Sequence, residues 1–429
     1  MSGKVELSGS GTGAGVRGVV AVVMAGLLMF CFGMAADGFT AYLPYLRQGY
    51  GIADAQVSLL VTLRCVTSFA SALLAQAVYA RISIRAGMAF SVATLAAGFA
   101  VCGLFPSYVG ACVGSLLMGI TCGMGSTVPA SMLMHRWYGA RVAVPLCICM
   151  AGSGLSSVVG VPLVVAGIST LGMEATFVAE GAVFAALALA MWLVVRDSPA
   201  VKPQALGDAA VQEAAHAHAS RRVAASSSRD LLVLSFAVLL IGAVASPGPA
   251  NYSLLLTEAG APAASMASIV SVGGIALTLS KLAYGAVSRR FGTYRSNLLA
   301  FGLLACGMAC SLLVGSLGAA AGIALVILCG LGFPPATAGP SLWAADLFPR
   351  DFDRSVQRLQ VTYSLGTLVG MPVPGLVASL TGSYVPVYAS YAVLVSFALV
   401  LIQSRYRKAG LAPAHRVTPA PASRAALEH

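Results

Sequence analysis

Twelve apolar runs, each long enough to cross a bilayer, constrain this chain more than any other feature. They fall at about 18–46, 54–80, 86–105, 107–135, 140–168 and 172–195, then at 231–257, 263–288, 296–315, 319–345, 356–380 and 384–404. About 20 apolar residues carry a helix through the hydrocarbon, and in lipid a backbone must satisfy its own N–H and C=O groups, as a helix does. Of 429 residues 58% are hydrophobic and 9% charged, against roughly 25% charged in a soluble domain. The expectation is an all-α membrane protein of twelve transmembrane helices in two six-helix halves. Residues 1–17 form an N-terminal tail, 18–195 the first half, 196–230 a linker, 231–404 the second half and 405–429 a tail. The tail ends in Leu427-Glu428-His429, which resembles a tag remnant. The linker is Ala/Ser-rich and too polar to bury a core, so it is expected to be a mobile connection whose His216 and His218 are surface residues.

Charge fixes the expected orientation. All but Arg47, Arg64 and Lys281 of the 25 Lys and Arg fall in the tails, the linker or alternate inter-span segments, the ones that include Arg81, Arg136, Arg289 and Arg350. Positive charge accumulates on the cytoplasmic side, so both termini are expected there. The net charge of +11 reflects this placement, with no basic stripe for nucleic acid. All ten cysteines lie in apolar runs, where they act as small hydrophobes and imply neither disulfides nor metal. The run after Arg17 is too long for a signal-peptide core. No cofactor, metal or catalytic motif is expected, and short outer loops leave no room for an external domain.

Gly285-Ala-Val-Ser-Arg289-Arg290-Phe-Gly292-Thr-Tyr-Arg295 resembles the G-x-x-x-D-R-x-G-R-[RK] loop of the major facilitator superfamily, with Arg289 near the place of the family's acid. The matching loop of the first half, around Arg81 and Arg85, is weaker. A second stretch, His135-Arg136-Trp137-Tyr138-Gly-Ala-Arg141, followed by Ala151-Gly152-Ser153-Gly154, resembles the monocarboxylate-transporter and oxalate/formate-antiporter branch. That resemblance implies an alternating-access carrier with a cation in the eighth span, four residues before the loop glycine, pairing with a substrate carboxylate. Lys281 and Gly285 have that spacing. It also implies an aromatic wall near Phe333 and places Tyr363 where the oxalate carrier has a second cation. Leu277 replaces the acid of proton-coupled members. Arg289, Arg290, Arg295, Arg136 and Arg141 are expected at cytoplasmic gating loops.

Four ionisable groups lie deep in the runs: Asp37, Arg64, Glu180 and Lys281. Such groups are functional hypotheses by default. The facilitator resemblance brings spans one, two and eight to the central pathway, so Asp37, Arg64 and Lys281 are expected to meet. Arg64, Thr67, Ser68 and Ser71 share one helical face, as do Gln360, Tyr363, Ser364 and Thr367. Arg64 and Lys281 form a dibasic site for an anion, and pairing of Arg64 with Asp37 stays open beside it. Asp37 is the expected proton carrier and Glu180 a weaker one, with Tyr42 and Tyr252 as further candidate substrate contacts. Helix breakers Pro247-Gly-Pro249, Pro334-Pro335 and Pro372-Val-Pro374 fall within spans. The expected function is secondary transport of a small organic carboxylate across an inner or plasma membrane by a monomer, coupled to protons or a counter-anion. The alternative is a proton-driven exporter of drugs or cations, with Asp37 and Glu180 reading the cargo.

Overall fold

The computed structural model describes residues 16–196, 228–260 and 263–411. Most of the expected tails and linker, including His216 and His218, lie outside the described residues. The chain runs through α1 (Val16–Tyr50), α2 (Leu59–Tyr79), α3 (Ile84–Leu104), α4 (Tyr108–Tyr138), α5 (Ala143–Leu171) and α6 (Met173–Val194). After the linker come α7 (Ser228–Ala250), α8 (Ala263–Phe291), α9 (Thr293–Leu317) and α10, broken into Ala319–Gly332, Pro334–Thr337 and Gly339–Leu347. The last two are α11 (Pro349–Thr381) and α12 (Val385–Lys408). Ten of these, α1–α7, α9, α11 and α12, are long and apolar enough to cross a membrane. Helices α8 and α10 stand where the eighth and tenth runs occur in the sequence.

The packing repeats with an offset of six. Helix α1 packs on α5, α2 on α4, and α3 on α4 and α6; correspondingly α7 packs on α11, α8 on α10, and α9 on α10 and α12. Two seams join the sets, α5 with α8 and α2 with α11, and these too are related by the same offset. Internal repeats of this kind place a ligand site where the repeats meet.

Small residues set the close approaches. A Cβ on Gly119 or Gly123 of α4 would strike Thr67 or Ser71 of α2, the glycine spacing that lets membrane helices touch. This changes the meaning of the expected polar stripe on α2. Thr67 Oγ1 donates back to Leu63 O at 2.9 Å and Ser71 Oγ to Ser68 O at 3.1 Å, so both hydroxyls belong to a helix–helix contact, with their donors satisfied by the backbone. Gly292, at φ 81°, turns the chain between α8 and α9 in a conformation that a side chain would disfavour.

The outer faces are apolar. Val183, Leu193, Leu299, Val393 and Val400 are all more than half exposed, an arrangement that fits lipid and would be a liability in water. The helix breakers fall where the chain breaks: α7 restarts at Pro247, α10 at Pro334, and α11 resumes at Val373 after Pro372.

Candidate functional site

Helix α8 reaches Lys281 ten residues before its end at Phe291, and α5 reaches Ser153 ten residues after its start at Ala143. At 1.5 Å per residue both lie about 15 Å in from the same end of the bundle, half the thickness of a ~30 Å hydrocarbon core. There Lys281 Nζ donates to Ser153 Oγ at 2.8 Å, and Ser153 Oγ donates to Met150 O at 2.9 Å. Lys281 is 2% exposed, and among the described residues no carboxylate lies within ion-pair distance of it. Asp37 of α1 is the carboxylate within electrostatic reach.

The glycines around Ser153 explain how the ammonium is brought to the seam. A Cβ on Gly152 would collide with Gly26 O of α1, and one on Gly154 with Thr278 of α8. Gly285, one turn beyond Lys281, faces Ala143 O at 3.0 Å and Cys147 Cβ at 2.8 Å from the position of its missing Cβ. Helix α5 is thus clamped between α1 and α8, and Ser153 points at Lys281.

On the other face of the site α1 widens into a single π-turn, Met34–Gly38, in which Phe39 N–H reaches back five residues to Met34 O. Asp37 lies in this turn and is exposed. Its Oδ2 accepts from Ser157 Oγ of α5 at 2.6 Å. Arg64 Nη1 donates to Ala35 O at 2.9 Å and to Ala36 O at 2.6 Å. The expected alternative of an Arg64–Asp37 ion pair is therefore not the arrangement found: the guanidinium takes the carbonyls of the turn, and the carboxylate takes a serine.

The other expected contacts are distributed more widely. Phe333 caps the first segment of α10, three residues after Gly330, whose carbonyl accepts from Ser280 Oγ at 2.9 Å. That puts Phe333 at the α10 break beside the Lys281 region of α8. Tyr363 is half-buried, and its backbone carbonyl abuts Gly242 of α7. Tyr42 and Tyr252, the remaining candidate contacts, sit in aromatic stacks. Tyr42 is fully buried, stacked on Phe177 of α6 at 3.8 Å between centroids, and Tyr252 stacks on Tyr388 of α12 at 6.1 Å. Tyr42 packs between α1 and α6, and Tyr252, in the short helix Tyr252–Glu258 that follows α7, packs against α12, so the apolar area of both rings goes into packing. Glu180 lies on α6 within electrostatic reach of Tyr42. Glu180 Oε2 and Tyr42 Oη are both buried and face each other between α6 and α1.

The basic end of the bundle is closed by three contacts that sequence reading did not pair. Ser131 Oγ of α4 and Ser341 Oγ of α10 are 2.6 Å apart and fully buried. His135 stacks on Phe352 at 4.0 Å, and Arg136 pairs with Asp353 at 3.7 Å, both about half exposed. The ion pair contributes at most about 1 kcal/mol and the hydroxyl pair about 1 kcal/mol, a closure weak enough to reverse. Arg141, Arg289, Arg290 and Arg295 are exposed, and no ion pair holds them among the described residues.

A helical bundle with a sixfold-offset repeat, a lipid-facing exterior and a buried cation at the seam defines a multi-pass membrane transporter. The chain belongs to the Major Facilitator Superfamily, whose family model matches residues 25–357. No curated protein sequence matches the chain. Among solved structures it is similar to the E. coli fucose:proton symporter FucP (17% identity, TM-score 0.67, covering 90% of this chain and 98% of that one). It is also similar to the proton:xylose symporter XylE (13%, 0.68, 89% and 94%) and to the human organic anion transporter MFSD10 (16%, 0.66, 90% and 99%). At these identities the likeness establishes the fold; proteins of this family and fold are transporters, not enzymes.

Proposed function

We propose that this transporter carries a small organic carboxylate by alternating access, with twelve spans in two six-helix halves and both termini in the cytoplasm. The observation that carries the reading is Lys281. A charge at mid-bilayer costs at least ~2.5–3.5 kcal/mol, and one hydrogen bond to a charged group offsets about 1.5–3 kcal/mol. An ammonium has three donors, and Ser153 takes one. A mobile carboxylate arriving at the seam would supply both the counter-charge and further acceptors.

In this reading Phe333 and Tyr363 wall the substrate, and Asp37 carries the coupling proton. Neutralising Asp37 would free Lys281 to bind the acid. In this reading the basic end, held by Ser131–Ser341 and Arg136–Asp353, is the cytoplasmic gate. The likeness to sugar symporters and to an organic anion transporter supports a small-molecule cargo without choosing its class; the buried ammonium favours an acid over a cationic drug.

A thermal-shift screen of monocarboxylates, dicarboxylates and hydrophobic amines against purified protein tests the reading, since a ligand that binds the folded state raises its melting point. Monocarboxylates should stabilise the wild type and not Lys281→Ala; stabilisation by amines alone would turn the assignment to a drug exporter.

A further inference from the structure

Arg64 is the second intramembrane cation, and the dibasic expectation made it a substrate ligand. Its contacts point elsewhere. A π-turn widens a helix so that a carbonyl loses its axial partner, and a backbone acceptor inside a membrane must find another. In the Met34–Gly38 turn the carbonyls of Ala35 and Ala36 find Arg64 Nη1, and Ala36 O accepts also from Thr40 Oγ1 at 2.7 Å.

Opposite it, α5 carries a second π-turn, Ser156–Gly160, in which Val161 N–H reaches back to Ser156 O. The two turns fit together: a Cβ on Gly33 would strike Ser156 Oγ, and one on Gly160 would strike Met34 Sδ. Asp37 comes from the first turn and Ser157 from the second, and they hydrogen-bond to each other. A residue in an α-helix advances about 100° around the axis. Closing the α1 turn to regular helix would therefore swing Asp37 away from Ser157.

We propose that Arg64 is a positioning residue that holds the α1 π-turn open, and that it acts on transport through the direction in which Asp37 points, without contacting the cargo. The role of Asp37 rests on the functional reading above; the grip of Arg64 on the turn does not. Titratable and charged groups within electrostatic reach of Asp37 are Cys122 on α4 and Lys281 on α8; Arg64 and Cys65 on α2 lie beside the same Cys122, and Ser157 on α5 is the hydrogen-bonding neighbour of Asp37.

The test has two limbs. In purified protein with no added carboxylate, Arg64→Gln should accelerate amide exchange across residues 34–40 at least about tenfold while leaving residues 293–309 of α9 unchanged. Equal exchange in variant and wild type overturns the proposal. Should Arg64→Gln fail to fold, Arg64→Lys, which keeps the charge and loses the planar fork, should show the same acceleration to a smaller degree, and no change there overturns it equally.

The second limb is a double-mutant cycle on carboxylate uptake. Arg64→Gln should flatten the pH profile of uptake and change the half-saturating concentration less than about threefold. The double variant with Asp37→Asn should be no slower than Asp37→Asn alone. Effects that multiply, with a large rise in half-saturating concentration, would make Arg64 a substrate ligand and overturn the proposal. If no carboxylate is transported at all, the functional reading fails while the exchange limb still decides the role of Arg64.

Discussion

Lys281 Nζ and Ser153 Oγ, 2.8 Å apart, join α8 to α5 across the seam between the two helix sets. The bond orients a buried ammonium from one set by a hydroxyl of the other, so any movement that parts α5 from α8 also changes the surroundings of the charge. Ser153→Ala removes the acceptor and leaves the ammonium in the same buried place. It should weaken carboxylate affinity about fivefold, corresponding to about 1 kcal/mol for one lost hydrogen bond, as read by thermal-shift titration.

The glycines of that seam are expected to matter for movement more than for folding. Gly285 has Cys147 Cβ 2.8 Å and Ala143 O 3.0 Å from the place a Cβ would occupy, and both neighbours belong to the opposite helix set. Gly285→Val should leave the protein folded, since each set keeps its internal contacts. It should force α5 and α8 apart at the basic end, reducing transport about tenfold or more. Cysteine labelling at residue 131 in the absence of ligand would report the opening.

Arg136 and Asp353 make the exposed part of the closure at the basic end. Asp353→Arg places like charges together and should shift the population toward the open gate by about 1 kcal/mol, roughly fivefold. Exchanging the pair, Arg136→Asp with Asp353→Arg, should restore the wild-type distribution. Spin-label distances between α4 and α11 would read both.

Tyr42 separates packing from ligand contact. Its hydroxyl faces Glu180 of α6, while its ring is stacked on Phe177. Tyr42→Phe should transport within about twofold of wild type, whereas Tyr42→Ala should lose about 3–5 kcal/mol of stability. Melting points and uptake of the two variants would check this.

The amount of this that could be read from the sequence followed from the range of the interactions. Helices were legible because an apolar run long enough to span has one low-energy form in lipid, and the breaks at Pro247, Pro334 and Pro372 are written in the local chain. Lys281 was legible as a lone charge in an apolar stretch. Its partner was not: Ser153 is one of many serines, and only the fit of Gly152 on α1 and Gly154 on α8 selects it.

The stripe of Thr67 and Ser71 misled because hydroxyls in a helix can bond to their own backbone, so polar residues on one face need not line a passage. The carbonyls that Arg64 holds exist as open acceptors only because α1 widens at Met34–Gly38, and the run Met34-Ala-Ala-Asp37-Gly38 carries no local signal of that. Ser131 and Ser341 are 210 residues apart in the chain, and their meeting depends on how the two helix sets are docked.

Uptake of a labelled monocarboxylate into proteoliposomes by wild type and by folded Lys281→Ala tests the central claim most directly. The account predicts saturable uptake by the wild type and a loss of at least about a hundredfold in the variant. Undiminished uptake by Lys281→Ala, or wild-type protein that moves a hydrophobic cation and no acid, would contradict it.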